Sequence, residues 1–256
     1  MQNNIISGLF VGQNLLTLKE VDSTNNFLKS LVSNSKPLPE GTVIMAENQY
    51  AGRGQQQNTW HAEPGKNLTF SLLLIPAFLQ VSQQFDLTRA ISISVFDTLR
   101  PLLGNELKIK WPNDIYFGDK KLGGMLIENI LSGNTIKYSI IGIGLNVNQE
   151  NFPQTAANAT SVKQILRKDY DLRTLLADIC NNIESNYLKL KAGDISFVRN
   201  EYLKRLYWLN EKKRFKATDK EFEGVINGVT EAGMLQVAHS GNVNNYNLKE
   251  IEFLNK

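Results

Sequence analysis

Two short glycine-containing turns between residues 107 and 147 constrain the fold more than any other feature of this sequence. Residues 118–120 (Gly-Asp-Lys) separate the apolar run 115–117 from the run 122–130, and residues 132–134 (Ser-Gly-Asn) separate that run from 136–147. Both turns are typical of β-hairpins, whose two strands run antiparallel. The hairpins therefore argue against a doubly wound parallel fold.

Predicted helices and further strands surround these hairpins. Apolar residues recur at helical spacing over residues 24–32, 85–103, 161–167, 172–190 and 196–206. Strands are predicted over residues 42–47, 67–75 and 107–111, the segment before residue 18 is short and mixed, and residues 52–65 are predicted to be a loop. This arrangement predicts an α+β fold with a mixed or antiparallel β-sheet.

The character of the sequence changes after about Asn210. Short strand-like runs separated by turn residues follow at 214–217, 222–229, 234–238, 242–248 and 251–254. We interpret them as a small all-β module. The expected division is a larger domain over residues 1–208 and a small β-domain over residues 209–256.

Composition narrows the class of protein. With 28 Lys+Arg against 25 Asp+Glu the net charge is only +3, so neither disorder nor nucleic-acid binding is indicated. A single cysteine, Cys180, excludes an internal disulfide, and His61 and His239 lie far apart, which argues against a histidine metal centre. The longest mostly apolar stretch, 70–79, is too short to span a membrane. Because the N-terminus has no basic signal-peptide region, we expect a soluble cytoplasmic protein without a membrane partner.

Four segments carry polar and glycine residues where a core element would not. Residues 22–26 (Asp-Ser-Thr-Asn-Asn) either cap a helix or bind a polar ligand group at the helix start. Residues 47–60 contain Arg53 between two glycines, followed by Trp60. This segment is either a flexible surface loop or a cationic loop with an apolar wall that approaches an anion.

The other two segments lie on the predicted strands. Residues 110–114 (Lys-Trp-Pro-Asn-Asp) bring an amide and a carboxylate to a strand end, and Lys121 opens the next strand ahead of Gly123 and Gly124. This is either a solvated hairpin or a cation above an open floor. Residues 142–148 (Gly-Ile-Gly-Leu-Asn-Val-Asn) place glycines at alternate strand positions, which indicates that another group packs close to this backbone.

Taken in order, these segments resemble the catalytic domain of biotin–protein ligases (biotin–acetyl-CoA-carboxylase ligases). The resemblance covers roughly residues 15–205 and rests mainly on Lys-Trp-Pro-Asn-Asp followed by Lys-Leu-Gly-Gly. The C-terminal strands resemble the small SH3-like domain of that family. The resemblance implies a class II synthetase-like catalytic domain with a mixed β-sheet and helices, followed by a small SH3-like β-barrel.

The resemblance also implies a reaction and its substrates. Such a ligase joins biotin to ATP as biotinyl-5′-AMP and passes the biotin to a lysine of a biotin carboxyl carrier protein. The biotin-binding residues would be Ser23, Thr24, Asn25, Gln49, Gly52, Arg53, Trp60, Lys121, Gly123 and Gly124. The ATP-binding residues would be Arg53, Gln55, Lys110, Asn113, Lys121 and Asn146.

The resemblance also implies catalytic roles, which agree with the charges that react. Lys121 and Arg53 would hold the biotin carboxylate and the α-phosphate together. Asp114 would orient or deprotonate the acceptor lysine, and Asn146 would recognise adenine. Mg²⁺ would arrive with ATP and need no protein metal motif.

Three features depart from the family pattern. Gln55 stands where many members carry an arginine, and residues 57 and 58 also differ, which predicts some leakage of biotinyl-adenylate. Only about 20 residues precede Ser23, too few for the DNA-binding domain of some members. We therefore expect the single-function type, without a DNA partner, and interpret the basic stretch 212–216 as a solvated face.

Two alternatives remain open. One is a lipoate or octanoate protein ligase of the same fold, and the other is a biotin-sensing regulator without catalysis. Hydroxyl and amide groups suit the ureido ring of biotin better than a dithiolane, and a regulator would not need the adenylation cations. A homodimer formed by strand addition is compatible with the sequence, which does not decide it.

Overall fold

The larger unit is built on a mixed seven-stranded β-sheet. The computed structural model describes residues 6–34, 37–55 and 58–254. The strands are β1 (Leu15–Val21), β2 (Val43–Gln49), β3 (Leu68–Leu74), β4 (Leu107–Lys110), β5 (Asp114–Phe117), β6 (Lys120–Ser132) and β7 (Thr135–Leu145). Their order is β1-β2-β3-β7-β6-β5-β4, and only β1 and β2 pair in parallel. Both predicted hairpins and the mixed α+β class are confirmed.

Helices cover the two faces of this sheet. They are α1 (Thr24–Asn34), α2 (Gln84–Leu103), α3 (Val162–Leu166), α4 (Leu172–Lys191) and α5 (Ile195–Lys204). Leu28 of α1 packs with Ile44, Leu73 and Ile140 in a small core on one face. The alternate residues of the same strands face the large core with α2 and α4, because successive strand side chains point to opposite faces.

Strand β1 is the described strand that the sequence analysis missed, and two short 3₁₀-helices, Val81–Gln83 and Gln154–Ala156, were not predicted either. Residues 15–21 follow no strict alternation, and most of them are half-buried or exposed, because β1 is an edge strand with a neighbour on one side only. The other predicted elements are present, with ends that differ by a few residues. The described part of the chain contains no helix that is long and apolar enough to cross a membrane.

A five-stranded antiparallel sheet follows α5. Its strands are β8 (Lys212–Ala217), β9 (Lys220–Val229), β10 (Leu235–His239), β11 (Asn242–Tyr246) and β12 (Glu252–Phe253), in the order β11-β10-β9-β8-β12. The buried guanidinium of Arg89 on α2 donates to the Thr230 carbonyl, and the Trp111 indole donates to the Gly233 carbonyl at 2.8 Å. These bonds attach the small sheet to the larger unit beside the β4–β5 turn.

The basic stretch of β8 is neutralised locally. Each of its four cations lies against a nearby carboxylate, in the pairs Lys212–Glu223, Lys213–Glu211, Arg214–Glu221 and Lys216–Asp219. Paired surface charges present little net field to a polyanion. The arrangement supports the interpretation of this stretch as a solvated face.

Candidate active site

The start of α1 places side chains against the sheet, where Asn25 contacts both β3 and β6. The backbone amide of Thr24 donates to Gln49 Oε1 at 2.9 Å, and its hydroxyl lies 3.2 Å from the same oxygen. The Ser71 hydroxyl lies 2.7 Å from Thr24 Oγ1 and 2.6 Å from Asn25 Oδ1. Ser23, Thr24 and Asn25 are all buried. Of the two interpretations of this segment, the geometry favours a polar pocket wall.

The alternating glycines of β7 make room for side chains that pack flat on the strand. A Cβ atom on Gly142 would overlap the Asn25 amide, and one on Gly144 would overlap the indole of Trp60. Glycine is therefore required here by close approach. The inference that another group packs against this backbone is confirmed.

Lys121 and Asp114 form an ion pair across the β5–β6 hairpin. Their Nζ and Oδ2 atoms lie 2.7 Å apart, and both side chains are partly exposed. Asp114 is the register partner of Gly124. A Cβ on Gly124 would lie 2.7 Å from Asp114 Oδ1 and 3.3 Å from Lys121 Nζ. Gly124 thus provides the space in which this ion pair sits.

Arg53 lies on the loop that follows β2. The loop is closed by an Arg53–Thr59 bridge and by bonds from Gly54 N to Asn58 O at 2.7 Å and from Trp60 N to Gly52 O at 2.9 Å. Residues 56 and 57 of this loop lie outside the described residues, so the prediction for position 57 is not addressed. Hydrogen bonds within the loop therefore join the described residues that precede positions 56 and 57 to those that follow them.

Two adjoining cavities meet at the loop and the hairpin. The first has a volume of about 250 Å³ and the second about 460 Å³. Trp60 and Lys121 line both cavities, together with Asn58 and Thr59. The other predicted site residues that line the first cavity are Ser23, Thr24, Asn25, Gln49, Arg53, Gln55, Asn113, Asp114 and Gly124. Asn146 lines the second.

Two buried polar atoms in these walls have no hydrogen-bond partner among the described residues. They are Oδ1 of Asn146 and Nε1 of Trp60. The amide nitrogen of Asn146 donates to the Thr160 carbonyl at 3.1 Å, which holds the side chain in place. Because buried polar atoms are normally paired, this acceptor and this donor in the cavity walls are candidate partners for ligand atoms or for water.

Three predicted site residues do not line either cavity. Gly52 allows the loop to close, because a Cβ there would overlap the Trp60 carbonyl. Gly123 allows β6 to approach β7, because a Cβ there would lie 2.8 Å from the Gly144 oxygen. Lys110 Nζ lies 4.8 Å from the ring centroids of both Tyr116 and Phe253. Burial lowers the pKa of Lys110. These residues thus have packing roles and line neither of the two cavities, although Gly52 lines a neighbouring cavity with Arg53.

Sequence reasoning also missed residues that the structure brings to the site. Ser71 of β3 links Thr24 to Asn25, Tyr116 lines the second cavity, and Leu248 of the C-terminal module lines the first. A fully buried serine in the run Leu-Thr-Phe-Ser-Leu-Leu-Leu was a usable signal. Nothing in the sequence pointed to Leu248.

The described residues include no group of three or more His, Cys, Asp or Glu side chains placed to hold a metal ion. The carboxylate at the cavity junction, Asp114, is paired with Lys121. This donor set fits a metal that is held chiefly by a ligand's own phosphates and by water.

Comparison with known proteins gives a consistent result. The model of the Biotin/lipoate A/B protein ligase family matches residues 18–146. The bifunctional ligase/repressor BirA of Bacillus spizizenii is 30% identical over 88% of this chain and 69% of its own length. The human biotin–protein ligase is 27% identical over 90% of this chain and 33% of its own length.

A solved structure shares the whole fold. The biotin protein ligase of Aquifex aeolicus, in complex with biotin and ATP, superposes with a TM-score of 0.79 at 28% identity. The match covers 95% of this chain and 100% of the Aquifex chain. Both the seven-stranded sheet and the C-terminal module are therefore within the region of similarity.

Proposed function

The chain belongs to the biotin/lipoate A/B protein ligase family, and from this premise we propose that it is an ATP-dependent biotin–protein ligase. It activates biotin as biotinyl-5′-AMP and then transfers the biotin to a lysine of a carrier protein. In the first step the biotin carboxylate attacks the α-phosphorus and pyrophosphate leaves. In the second, the lysine amine attacks the acyl carbon, AMP leaves, and the amine loses a proton.

The observation that carries the proposal is the meeting of two cavities at one lysine. Lys121 and Trp60 line both. A reaction that joins two ligands needs a pocket for each and a cation where their anionic ends meet, because positioning and charge stabilisation supply most of the catalysis. Biotin occupies the first cavity and the nucleotide the second, with the carboxylate and α-phosphate at Lys121.

The buried polar wall at the start of α1 suits the ureido ring. Ser23, Thr24 and Gln49 offer hydroxyl and amide groups that both donate and accept, which matches a ring with two N–H groups and one carbonyl. The existing bonds from Thr24 to Gln49 hold these groups in place. The same matching disfavours lipoate, whose dithiolane has no comparable donors or acceptors.

Asn146 recognises adenine in the second cavity. Its unpartnered Oδ1 accepts from the adenine amino group, and the Nδ2 hydrogen that does not bond Thr160 donates to N7. The orphaned indole N–H of Trp60, between the two cavities, donates to an oxygen of the ligands.

Lys121 and Arg53 have different roles where the two cavities meet. Lys121 neutralises the carboxylate and α-phosphate, while Asp114 holds its ammonium in position at 2.7 Å. Asp114 also receives the acceptor lysine in the second step, since it lies on the cavity wall. Asn113 and Gln55 contribute to the same wall, and Arg53 acts from the loop.

Mg²⁺ accompanies ATP in this proposal. Bound to the phosphates, it would reduce their negative charge, and the protein donor set described above suits a largely hydrated ion.

A biotin carboxyl carrier domain is the protein partner, and the site of action is the cytoplasm. Residues 1–208 form the substrate-binding domain, and residues 209–256 form a small domain that closes one side of it through Leu248. A homodimer formed through an exposed sheet edge is a further expectation.

Pyrophosphate release tests the proposal against its alternatives. The chain is incubated with ATP and Mg²⁺ and with either biotin or lipoate. Release with biotin, followed by a mass increase of one biotin on a carrier-domain lysine, is the expected result. Release with lipoate alone would identify a lipoate ligase, and no release with either would favour a non-catalytic regulator.

A further inference from the structure

Glu128 on β6 is the one carboxylate that contacts Arg53 among the described residues. Arg53 Nη2 lies 3.1 Å from Glu128 Oε1, and Nη1 lies 3.4 Å from Oε2. This is the two-pronged arrangement in which a guanidinium is held in direction as well as in place. Asn26 Oδ1 accepts from Nη1 at 2.6 Å and adds a third contact. We infer that Glu128 is a positioning residue for Arg53 in the proposed adenylation reaction, an inference that rests on the proposed function.

The carboxylate of Glu128 is itself held by neighbouring groups. Asn25 Nδ2 donates to Oε2 at 3.0 Å and to the Leu126 carbonyl at 3.3 Å, and Lys29 Nζ lies 3.9 Å from Oε1. The side chain of Glu128 is 21% exposed, against 41% for Arg53. The more buried and better-anchored partner fixes the position of the more exposed one.

The position of Glu128 favours support of Arg53 over competition with a ligand. Arg53 lines the first cavity, and Glu128 does not. A guanidinium has five N–H donors, and the contacts above leave the Nε–H and one Nη2–H without a partner among the described residues. These donors remain for the anionic ends of the substrates while Glu128 holds the other edge.

The contacts also connect the two ends of the first cavity. Gln49 accepts from Thr24, Ser71 lies between Thr24 and Asn25, and Asn25 donates to Glu128. The groups assigned to the ureido ring and the group that directs Arg53 thus share one hydrogen-bond network. Asn25 therefore acts in this network as a link to Glu128 as well as a wall of the cavity.

The first test does not depend on activity. Amide hydrogen exchange at Gly54 and Trp60, whose N–H groups close the Arg53 loop, is compared between the ligand-free wild type and Glu128→Gln. We expect exchange about two- to five-fold faster in the variant, because the charged contact of a partly exposed pair is lost. The matched control is Glu221→Gln, which removes the carboxylate of an exposed arginine pair in the C-terminal sheet. Unchanged exchange in Glu128→Gln would overturn the inference.

The second test separates positioning from a general structural role. Biotin-dependent pyrophosphate release is measured for Glu128→Gln, Arg53→Ala and the double variant. We expect Glu128→Gln to lower kcat about ten-fold with KM for biotin within three-fold, and the double variant to match Arg53→Ala. Glu128→Asp, which keeps the charge, should restore part of the rate.

Several results would contradict the inference. Independent, multiplicative losses in the double variant would show that Glu128 does not act through Arg53. A rise in kcat or ligand affinity in Glu128→Gln would show that Glu128 competes with the substrates for Arg53. Absence of pyrophosphate release by the wild type would refute the proposed function, and the exchange experiment would then still decide whether Glu128 holds Arg53.

Discussion

The two cations of the candidate site are held in opposite ways. Lys121 and its partner Asp114 lie on adjacent strands of one short hairpin, 2.7 Å apart, above a glycine that leaves them room. Arg53 lies on a loop and reaches α1 and β6 for its contacts with Asn26 and Glu128. The position of Lys121 is set by a partner within the same hairpin, whereas the position of Arg53 is set by contacts with elements distant in sequence.

This difference predicts how much each cation contributes to catalysis. A hairpin pair is preorganised because the strand register brings the residues together. A loop pair at 41% and 21% side-chain exposure contributes little stability, so it restrains the loop without locking it. We therefore expect Lys121 to contribute more than Arg53 to the chemical step, and Arg53 to affect in addition how well the loop retains the adenylate.

The largest expected effect is that of Lys121→Ala. Removing a preorganised charge stabiliser costs about 10²–10³ in rate, so biotin-dependent pyrophosphate release should fall by at least that factor. Lys212→Ala, which removes an exposed cation from the C-terminal sheet, is the matched control and should retain the wild-type rate. Near-wild-type release by Lys121→Ala would show that the cation of the chemical step has been misplaced.

Arg53→Ala should have the next largest effect. Because the side chain is half-exposed and held by a loop, we expect a loss of about 10- to 100-fold, below that of Lys121→Ala. Single-turnover kinetics should attribute part of the loss to faster escape of the adenylate. A larger loss than in Lys121→Ala would reverse the comparison of the two cations.

Gly124→Ala tests whether the hairpin pair depends on the space below it. The added Cβ would lie 2.7 Å from Asp114 Oδ1, so the pair must shift, and we expect about a ten-fold lower rate. Gly228→Ala is the control, because a Cβ there would meet only the flexible end of Gln236 at 3.0 Å. Equal rates in the two variants would mean that the pair tolerates displacement.

The smallest expected effect is that of Gln55→Arg. Gln55 lines the first cavity beside Arg53, and a second loop cation should slow the release of biotinyl-adenylate by about three-fold through added charge attraction. Release is measured by trapping free adenylate after a single turnover. Tight retention by the unchanged chain would contradict the leakage predicted from Gln55.

Local chemistry explains what was predictable. Both hairpins, the helices and the cavity residues of the Ser-Thr-Asn, Lys-Trp-Pro-Asn-Asp and Lys-Leu-Gly-Gly segments follow from turns, spacing and motifs within a few residues of one another. The alternate glycines of β7 likewise indicated close packing before the packed groups, Asn25 and Trp60, were known. Edge strand β1 was not predicted, because its partly exposed residues show no regular alternation of apolar and polar side chains.

The sequence by itself determined the fold class, the presence of a separate C-terminal β-sheet and the position of Lys121 in the β5–β6 hairpin, since each depends on interactions between near neighbours in the chain. Only the tertiary structure decided which residues line the two cavities that meet at Lys121, that Gly52, Gly123 and Lys110 line neither, and that Glu128 contacts Arg53. The physical reason is that these relations join residues far apart in sequence, such as positions 53 and 128, whose approach is set by sheet order and strand register.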